Sequence, residues 1–203
     1  MLTAVGLGPG DPELLTLKAI RILRDADTVF VPGGMAHELV KPYAKEIVML
    51  EFPMTRDEAE ITRCMERNAA KILSAAKSGK AVFGLIGDPN YYSTFSRLAE
   101  MVRELVPDLV VETIPGISSI TAVASLAKIP VNGAFLVTDG PVMPATKILM
   151  KIVRPREKAE ILRTEGYNDF IVVERMYMKG EKVYRDVLPE KTTYFSIMIA
   201  RKV

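Results

Sequence analysis

Residues 1–11 read MLTAVGLGPGD, an apolar run from Leu2 to Leu7 that stops on a Gly-Pro-Gly turn. A continuous apolar run bounded by turn residues suits a strand buried on both faces. The helical period that follows, Leu15, Ala19, Ile22 and Leu23 within Glu13 to Arg24, completes a strand-turn-helix unit. The pattern then recurs along the chain. Thr28 to Val31 and Ile47 to Phe52 predict two more strands. Asp57 opens a long helix whose inward face is Ile61, Met65, Ala69, Ile72 and Ala76, and Gly79 is expected to end it in a positive-φ stop. Ala81 to Ile86 predicts a fourth strand, broken by Gly87-Asp88-Pro89. A helix from Ser93 turns Phe95, Leu98, Val102 and Leu105 inward, Leu109 to Thr113 predicts a fifth strand, and Ser118 starts a helix after Pro115-Gly116. Strands alternating with helices predict an α/β fold, a mostly parallel sheet with helices on both faces.

After Pro130 the texture changes. Phe135 to Val137, Ile148 to Val153, Phe170 to Val173 and Tyr194 to Ala200 are strand-like, and only Pro155 to Arg163 is clearly helical. A boundary near Lys128 to Gly133 divides the chain into an N-terminal domain, 1–130, and a C-terminal α/β domain, 131–203.

The balance of 27 Lys and Arg against 25 Asp and Glu, interleaved along the polar stretches, excludes the basic patch of a nucleic-acid partner. The longest charge-free run, Thr113 to Ala127, contains Pro115 and Gly116 and is too short and polar for a bilayer, so no membrane is expected. Cys64 is the one cysteine and cannot form an internal disulfide, which points to a cytoplasmic protein; it reads as a core residue. His37, the only histidine, is expected in a Gly-rich loop without co-ligands, so no metal site is assigned. A catalytic triad cannot be assembled around it.

In an open α/β sheet the ligand crevice lies beyond the carboxyl ends of the strands. The loop after the first strand, Gly6-Leu7-Gly8-Pro9-Gly10-Asp11, places Asp11 where a dinucleotide fingerprint has its third glycine, and Pro9 removes an N–H that an anion cradle would use. Gly84-Leu85-Ile86-Gly87-Asp88-Pro89 again ends in Asp-Pro. Ile114-Pro115-Gly116-Ile117-Ser118-Ser119 supplies two hydroxyls at a helix start. Carbonyls and carboxylates in place of N–H clusters suit a ligand with hydroxyls, an ammonium or a sulfonium better than a phosphate ester. Each loop also has a plain reading as a βα turn, with Ser118 as an N-cap.

Taken in order, GLGPGDPELLTLKAIRILRDADTVFVP, GLIGDPNYYSTFSRL, IPGISSITAVASLAKIP and YFSIMIARK resemble the tetrapyrrole methylases that use S-adenosylmethionine. FPMTRD at Phe52 to Asp57 and YSTFS at Tyr92 to Ser96 look like the branch that methylates carbon 20 of precorrin-2 or cobalt-factor II in cobalamin biosynthesis. The resemblance implies two α/β domains with the cofactor in the cleft between them, a tetrapyrrole substrate and a homodimer. It assigns cofactor contacts to Pro9, Gly84, Gly87, Asp88, Tyr91, Ser118 and Ser119, with Ser93 and Thr94 on the same wall. From the second domain it adds Met150, Met176 and Ser196. Arg56 and Arg97 are candidates for the substrate's carboxylates, beside a reading as solvated helix-end charges; no catalytic base is named. Relative to that branch, Val31 to Ile47 and Val131 to Lys147 look shortened. The alternatives are methylation of carbon 11 or 17, or a non-catalytic cofactor-binding homologue.

Overall fold

The structure, a computed structural model, describes residues 1–55, 57–133, 135–137 and 145–203. Arg56 and part of the 131–147 segment lie outside the described residues. Contacts divide the chain into two compact units, Met1–Ser118 and Ser119–Val203.

The first unit is built on β1 (Leu2–Gly6), β2 (Thr28–Val31), β3 (Ile47–Met49), β4 (Ala81–Leu85) and β5 (Val111–Ile114). They form one parallel sheet in the order β3-β2-β4-β1-β5. Alternate residues of the buried strands feed two cores. Leu2, Ala4, Phe30 and Phe83 pack beneath α3 (Glu58–Ser78) and α4 (Phe95–Leu105). Val5, Val29, Val31 and Val82 pack on the other face beneath α1 (Leu17–Asp25) and α2 (Gly34–Val40). The period-two split is why these strands read as unbroken apolar runs.

Four expectations change here. The helix read from Glu13 to Arg24 is a 3-10 turn, Pro12–Leu14, followed by α1. Asp11 caps the turn through Glu13 N, and Thr16 caps α1 through Ala19 N. His37 belongs to α2 and not to a loop, its Nδ1 3.0 Å from Glu38 Oε1. Leu105, at the end of α4, is exposed, while Ala99 occupies the buried stripe with Phe95, Leu98 and Val102. Gly79 does cap α3, but with φ −169°, an extended conformation open to any residue. It is glycine because a Cβ there would come within 3.1 Å of the Asp27 carboxyl carbon and closer still to its Oδ2. That oxygen accepts the Lys80 N–H at 2.7 Å.

The second unit opens with α5 (Ser119–Ala127), which lies against the sheet of β6 (Leu136–Val137), β7 (Thr146–Met150), β8 (Asp169–Glu174), β9 (Lys182–Tyr184) and β10 (Ser196–Arg201). The order is β6-β7-β10-β8-β9, antiparallel except for the β6–β7 pair. α6 (Pro155–Thr164) buries Ala159 and Leu162 against Phe170, Val172 and Met198. β9 escapes the sequence reading. Among the described residues no helix is long and apolar enough to cross a membrane.

The Asp27–Gly79 approach gives a stability test. Gly79→Ala should cost about 1 kcal/mol by displacing the Asp27 carboxylate from the Lys80 N–H. In an Asp27→Ala background the same change should cost almost nothing, which urea denaturation of the four proteins measures.

Candidate functional site

β1 lies between β4 and β5, so the loops that leave these three strands emerge side by side. The chain leaves β1 toward α1 on one face and leaves β4 toward α4 on the other. The neighbouring ends of β1 and β4 are therefore a topological switch point, where a crevice opens in sheets of this kind. Beyond the strands, Leu7 N donates to Leu85 O at 2.8 Å and Gly87 N to Gly8 O at 2.7 Å. A Cβ on Gly6 would lie 2.5 Å from Gly116 N and 2.6 Å from Gly87 O. A Cβ on Gly116 would lie 2.6 Å from the Gly6 carbonyl carbon. The three loops thus touch backbone to backbone, and Gly87 reaches this position with φ +81°.

Asp88 holds the junction together. It is 7% exposed. Its Oδ2 accepts the Gly116 N–H at 3.1 Å and its Oδ1 the Asn90 N–H at 2.8 Å, and the Asn90 side chain donates to Thr113 Oγ1 at 3.3 Å. The Asp88 carboxylate that the GDP turn was expected to present to its ligand therefore also has partners within the protein. The charge is engaged within the protein, where it ties the loop after β4 to the loop after β5. Asn90 and the paired glycines Gly6 and Gly116 were not singled out from sequence, because their partners are remote in the chain.

The candidates of the first unit fall into two groups. Pro9, Gly87 and Asp88 sit at the junction, Pro9 buried and Ser118 two residues beyond Gly116. Gly84 lies within β4, and a Cβ on it would lie 3.3 Å from both Leu7 Cδ1 and Val40 Cγ1, so only its backbone is available. Tyr91 is exposed on the loop that leaves the junction. Ser93 and Thr94 instead line a cavity of about 390 Å³ together with Phe52, Pro53, Met65 and Arg97. That cavity unites parts of the two stretches, 52–57 and 92–96, that carry the carbon-20 resemblance. Ser93 Oγ accepts the Phe95 N–H at 2.9 Å at the start of α4, and the Arg97 guanidinium pairs with Glu58. Cys64 borders the cavity as a buried residue whose thiol donates to Glu51 O at 2.9 Å.

In the second unit Ser119 opens α5, and the other three candidates gather at one end of the sheet. Met150 ends β7 opposite Ile197, Ser196 begins β10 opposite Glu174, and Met176 is buried just past β8. Ser196 Oγ is enclosed and has no hydrogen-bond partner among the described residues. An unpaired buried hydroxyl costs free energy unless something supplies a partner. Burial raises the pKa of the neighbouring Glu174, but hydrogen bonds from Thr193 and from the Tyr184 hydroxyl outweigh it and hold the carboxyl below its usual value. Glu174 is therefore a charged, satisfied group beside an unsatisfied one. Among the described residues, four of the five non-glycine residues at positive φ adjoin candidate positions: Tyr92, Lys151, Arg175 and Tyr177.

A family model described as Tetrapyrrole (Corrin/Porphyrin) Methylases matches residues 1–192. A Methanocaldococcus jannaschii protein named "Probable cobalt-precorrin-2 C(20)-methyltransferase" is 34% identical over 92% of this chain and 87% of its own length. A Sinorhizobium protein named "Precorrin-2 C(20)-methyltransferase" is 28% identical over 98% of this chain and 94% of its own. In fold, the chain resembles a uroporphyrin-III C-methyl transferase from Thermus thermophilus solved with S-adenyl homocysteine. The TM-score is 0.67 at 23% identity, covering 99% of this chain and 97% of that one.

Asp88→Ala removes the acceptor of two backbone N–H groups and should lower stability by about 2 kcal/mol, with Asp88→Asn losing less because its amide oxygen still accepts one. Equal urea midpoints for wild type and Asp88→Ala would show that the carboxylate does not brace the junction.

Proposed function

The chain belongs to the tetrapyrrole (corrin/porphyrin) methylases, and on that premise we propose that it transfers a methyl group from S-adenosylmethionine to carbon 20 of precorrin-2 or cobalt-factor II in cobalamin biosynthesis, as a homodimer. The observation that carries this reading is the likeness, along nearly the whole chain, to proteins named for carbon-20 methylation. The cavity that unites Phe52 and Pro53 with Ser93 to Ser96 supports it.

The residues present fit the methyl donor. That molecule carries a sulfonium, hydroxyls, an adenine and no phosphate, and three positions of the junction offer no free N–H to an anion. Pro9 has no N–H, and the Gly87 and Gly116 N–H groups are both engaged within the protein. The Ser196 hydroxyl, without a hydrogen-bond partner among the described residues, supports this, since a bound polar group would supply one. On this reading the backbone of Pro9, Gly84 and Gly87 faces the donor, with Asp88 as the brace. Tyr91, Ser93, Thr94, Ser118 and Ser119 add side walls. Met150 and Met176 supply apolar contact for the adenine, and Ser196 supplies a hydrogen bond.

When bound, the donor supplies an electrophilic methyl carbon already activated by its sulfonium. The chain's task is then to orient the two reactants and exclude water, which accounts for most of the acceleration in a transfer of this kind. Buried loop backbones suit that task, because they hold position without side-chain rotamers to order.

Incubation with isotope-labelled S-adenosylmethionine and either macrocycle, followed by mass spectrometry and NMR, should place the label on carbon 20; label on any other carbon overturns the proposal. Ser196→Ala should weaken S-adenosylhomocysteine binding about tenfold in calorimetry, the value of one lost hydrogen bond. Unchanged affinity would remove Ser196 from the set.

A further inference from the structure

The cavity beside α4 is distinct from the glycine junction in its chemistry. Its volume of about 390 Å³ falls within the span of small-ligand sites, about 300–1,000 Å³. Phe52 and Pro53 form one wall, Ile61 and Met65 of α3 another, and hydroxyls of Ser93, Thr94 and Ser96 rim the start of α4. Among the described lining residues Arg97 alone carries a charge. Its guanidinium is half-exposed and held by Glu58 of the first turn of α3, itself 70% exposed. An ion pair between such exposed partners contributes little, so an incoming carboxylate displaces Glu58 at small cost. Apolar walls with one arginine at the mouth match a flat ring that bears an acidic side chain, and the planar guanidinium takes a carboxylate through two parallel bonds.

Resting on the reading of the chain as a tetrapyrrole methyltransferase, we propose that this cavity is a substrate subsite: it takes the edge of one pyrrole ring of the macrocycle together with that ring's carboxylate side chain, which binds Arg97 in place of Glu58. Ser93 and Thr94 then stand between the two reactants. They line the cavity and, with Tyr92 between, follow the loop from Gly87 to Tyr91, which is proposed to face the methyl donor. A ring anchored on Arg97 is thereby held near that loop, as a transfer between two bound molecules requires. Arg97 acts as a specificity-determining residue, touching the ring's side chain and not the carbon that is methylated.

The methyl donor also has a carboxylate, in its methionine part, and the test separates the two sources. In the full-length protein, Arg97→Gln should raise KM for the macrocycle about 10- to 100-fold with kcat at saturation unchanged, the loss of a charged hydrogen-bond pair. Its affinity for S-adenosylhomocysteine should not change. Arg97→Lys should fall between wild type and Arg97→Gln. Glu58→Gln, which frees Arg97, should lower KM or leave it as it is. An unchanged KM in Arg97→Gln overturns the proposal, as does an equal rise in Arg97→Gln and Glu58→Gln, the mark of a merely structural pair. Loss of S-adenosylhomocysteine affinity would assign Arg97 to the donor and overturn it as well. Should the methyl arrive at a carbon other than 20, the functional reading falls while the KM comparison still decides the subsite. Should no carbon be methylated, absorbance titration of the macrocycle gives the same comparison as a dissociation constant.

Discussion

Three glycines set the geometry on which the first unit depends. Gly6 ends β1, Gly87 follows β4 and Gly116 follows β5; a side chain on Gly6 would run into Gly87 and Gly116, one on Gly116 would run into Gly6 and Gly87, and Gly87 itself is held at φ +81°. The carbonyl of Gly87 occupies the space that the Cβ atoms of Gly6 and Gly116 would need. Because interiors are close-packed, no small relaxation opens that space, and the three loops form a single surface of touching backbones. The strand order makes this possible by putting β4, β1 and β5 side by side, and the helices that follow β1 and β4 diverge to opposite faces of the sheet.

The electrostatics of this surface follow from the same contact. Bringing Gly116 against Gly87 turns its N–H toward Asp88, and the carboxylate spends both oxygens on backbone donors. In this surface the Gly87 and Gly116 N–H groups and the Asp88 carboxylate all have partners within the protein. Dinucleotide-binding loops at the same place in other α/β sheets attract phosphate by leaving such N–H groups open at a helix start. Here the Gly87 and Gly116 N–H groups are taken, Pro9 has none to offer, and Asp11 serves as the cap of the 3-10 turn.

Most of the first unit was legible from sequence, since buried parallel strands declare themselves as apolar runs and Pro-Gly turns mark their ends. Thr28–Val31 begins and ends where the pattern places it, and Met65, Ala69, Ile72 and Ala76 of α3 are buried as their period requires. What escaped is either short or long-range. α2 hides behind Pro32-Gly33-Gly34, which looks like loop although Gly34 begins a helix. β9 is three residues long, with two exposed and one half-buried, so it carries no apolar signature. Gly79 shows the limit of local reasoning: the residue type was rightly linked to the helix end, but its cause is Asp27, far away in sequence. Asp88 is the same lesson at the site. A carboxylate in a turn reads as available until the Gly116 N–H, 28 residues on, is seen to claim it. Ser196 could be named by motif, but its unsatisfied hydroxyl is visible only in three dimensions.

Backbone strain concentrates beside the candidate positions. Left-handed conformations cost a non-glycine residue about 1 kcal/mol each, and glycine or asparagine would relieve that cost. The chain nevertheless keeps Tyr92, Lys151, Arg175 and Tyr177 in that region. Each is held by neighbours or has a use for its side chain. Arg175 N donates to Phe195 O at 2.7 Å and Tyr177 N to Glu181 Oε2 at 2.6 Å, Lys151 Nζ lies over the Tyr194 ring at 5.2 Å, and Tyr92 lines the cavity beside α4. Lys151 and Arg175 thereby lean on Tyr194 and Phe195, the two residues just before Ser196. Strain that surrounding structure over-determines is characteristic of ligand-holding segments. Its placement beside Met150, Met176 and Ser196 indicates that these turns are built to fix the direction of particular side chains, and not merely to reverse the chain.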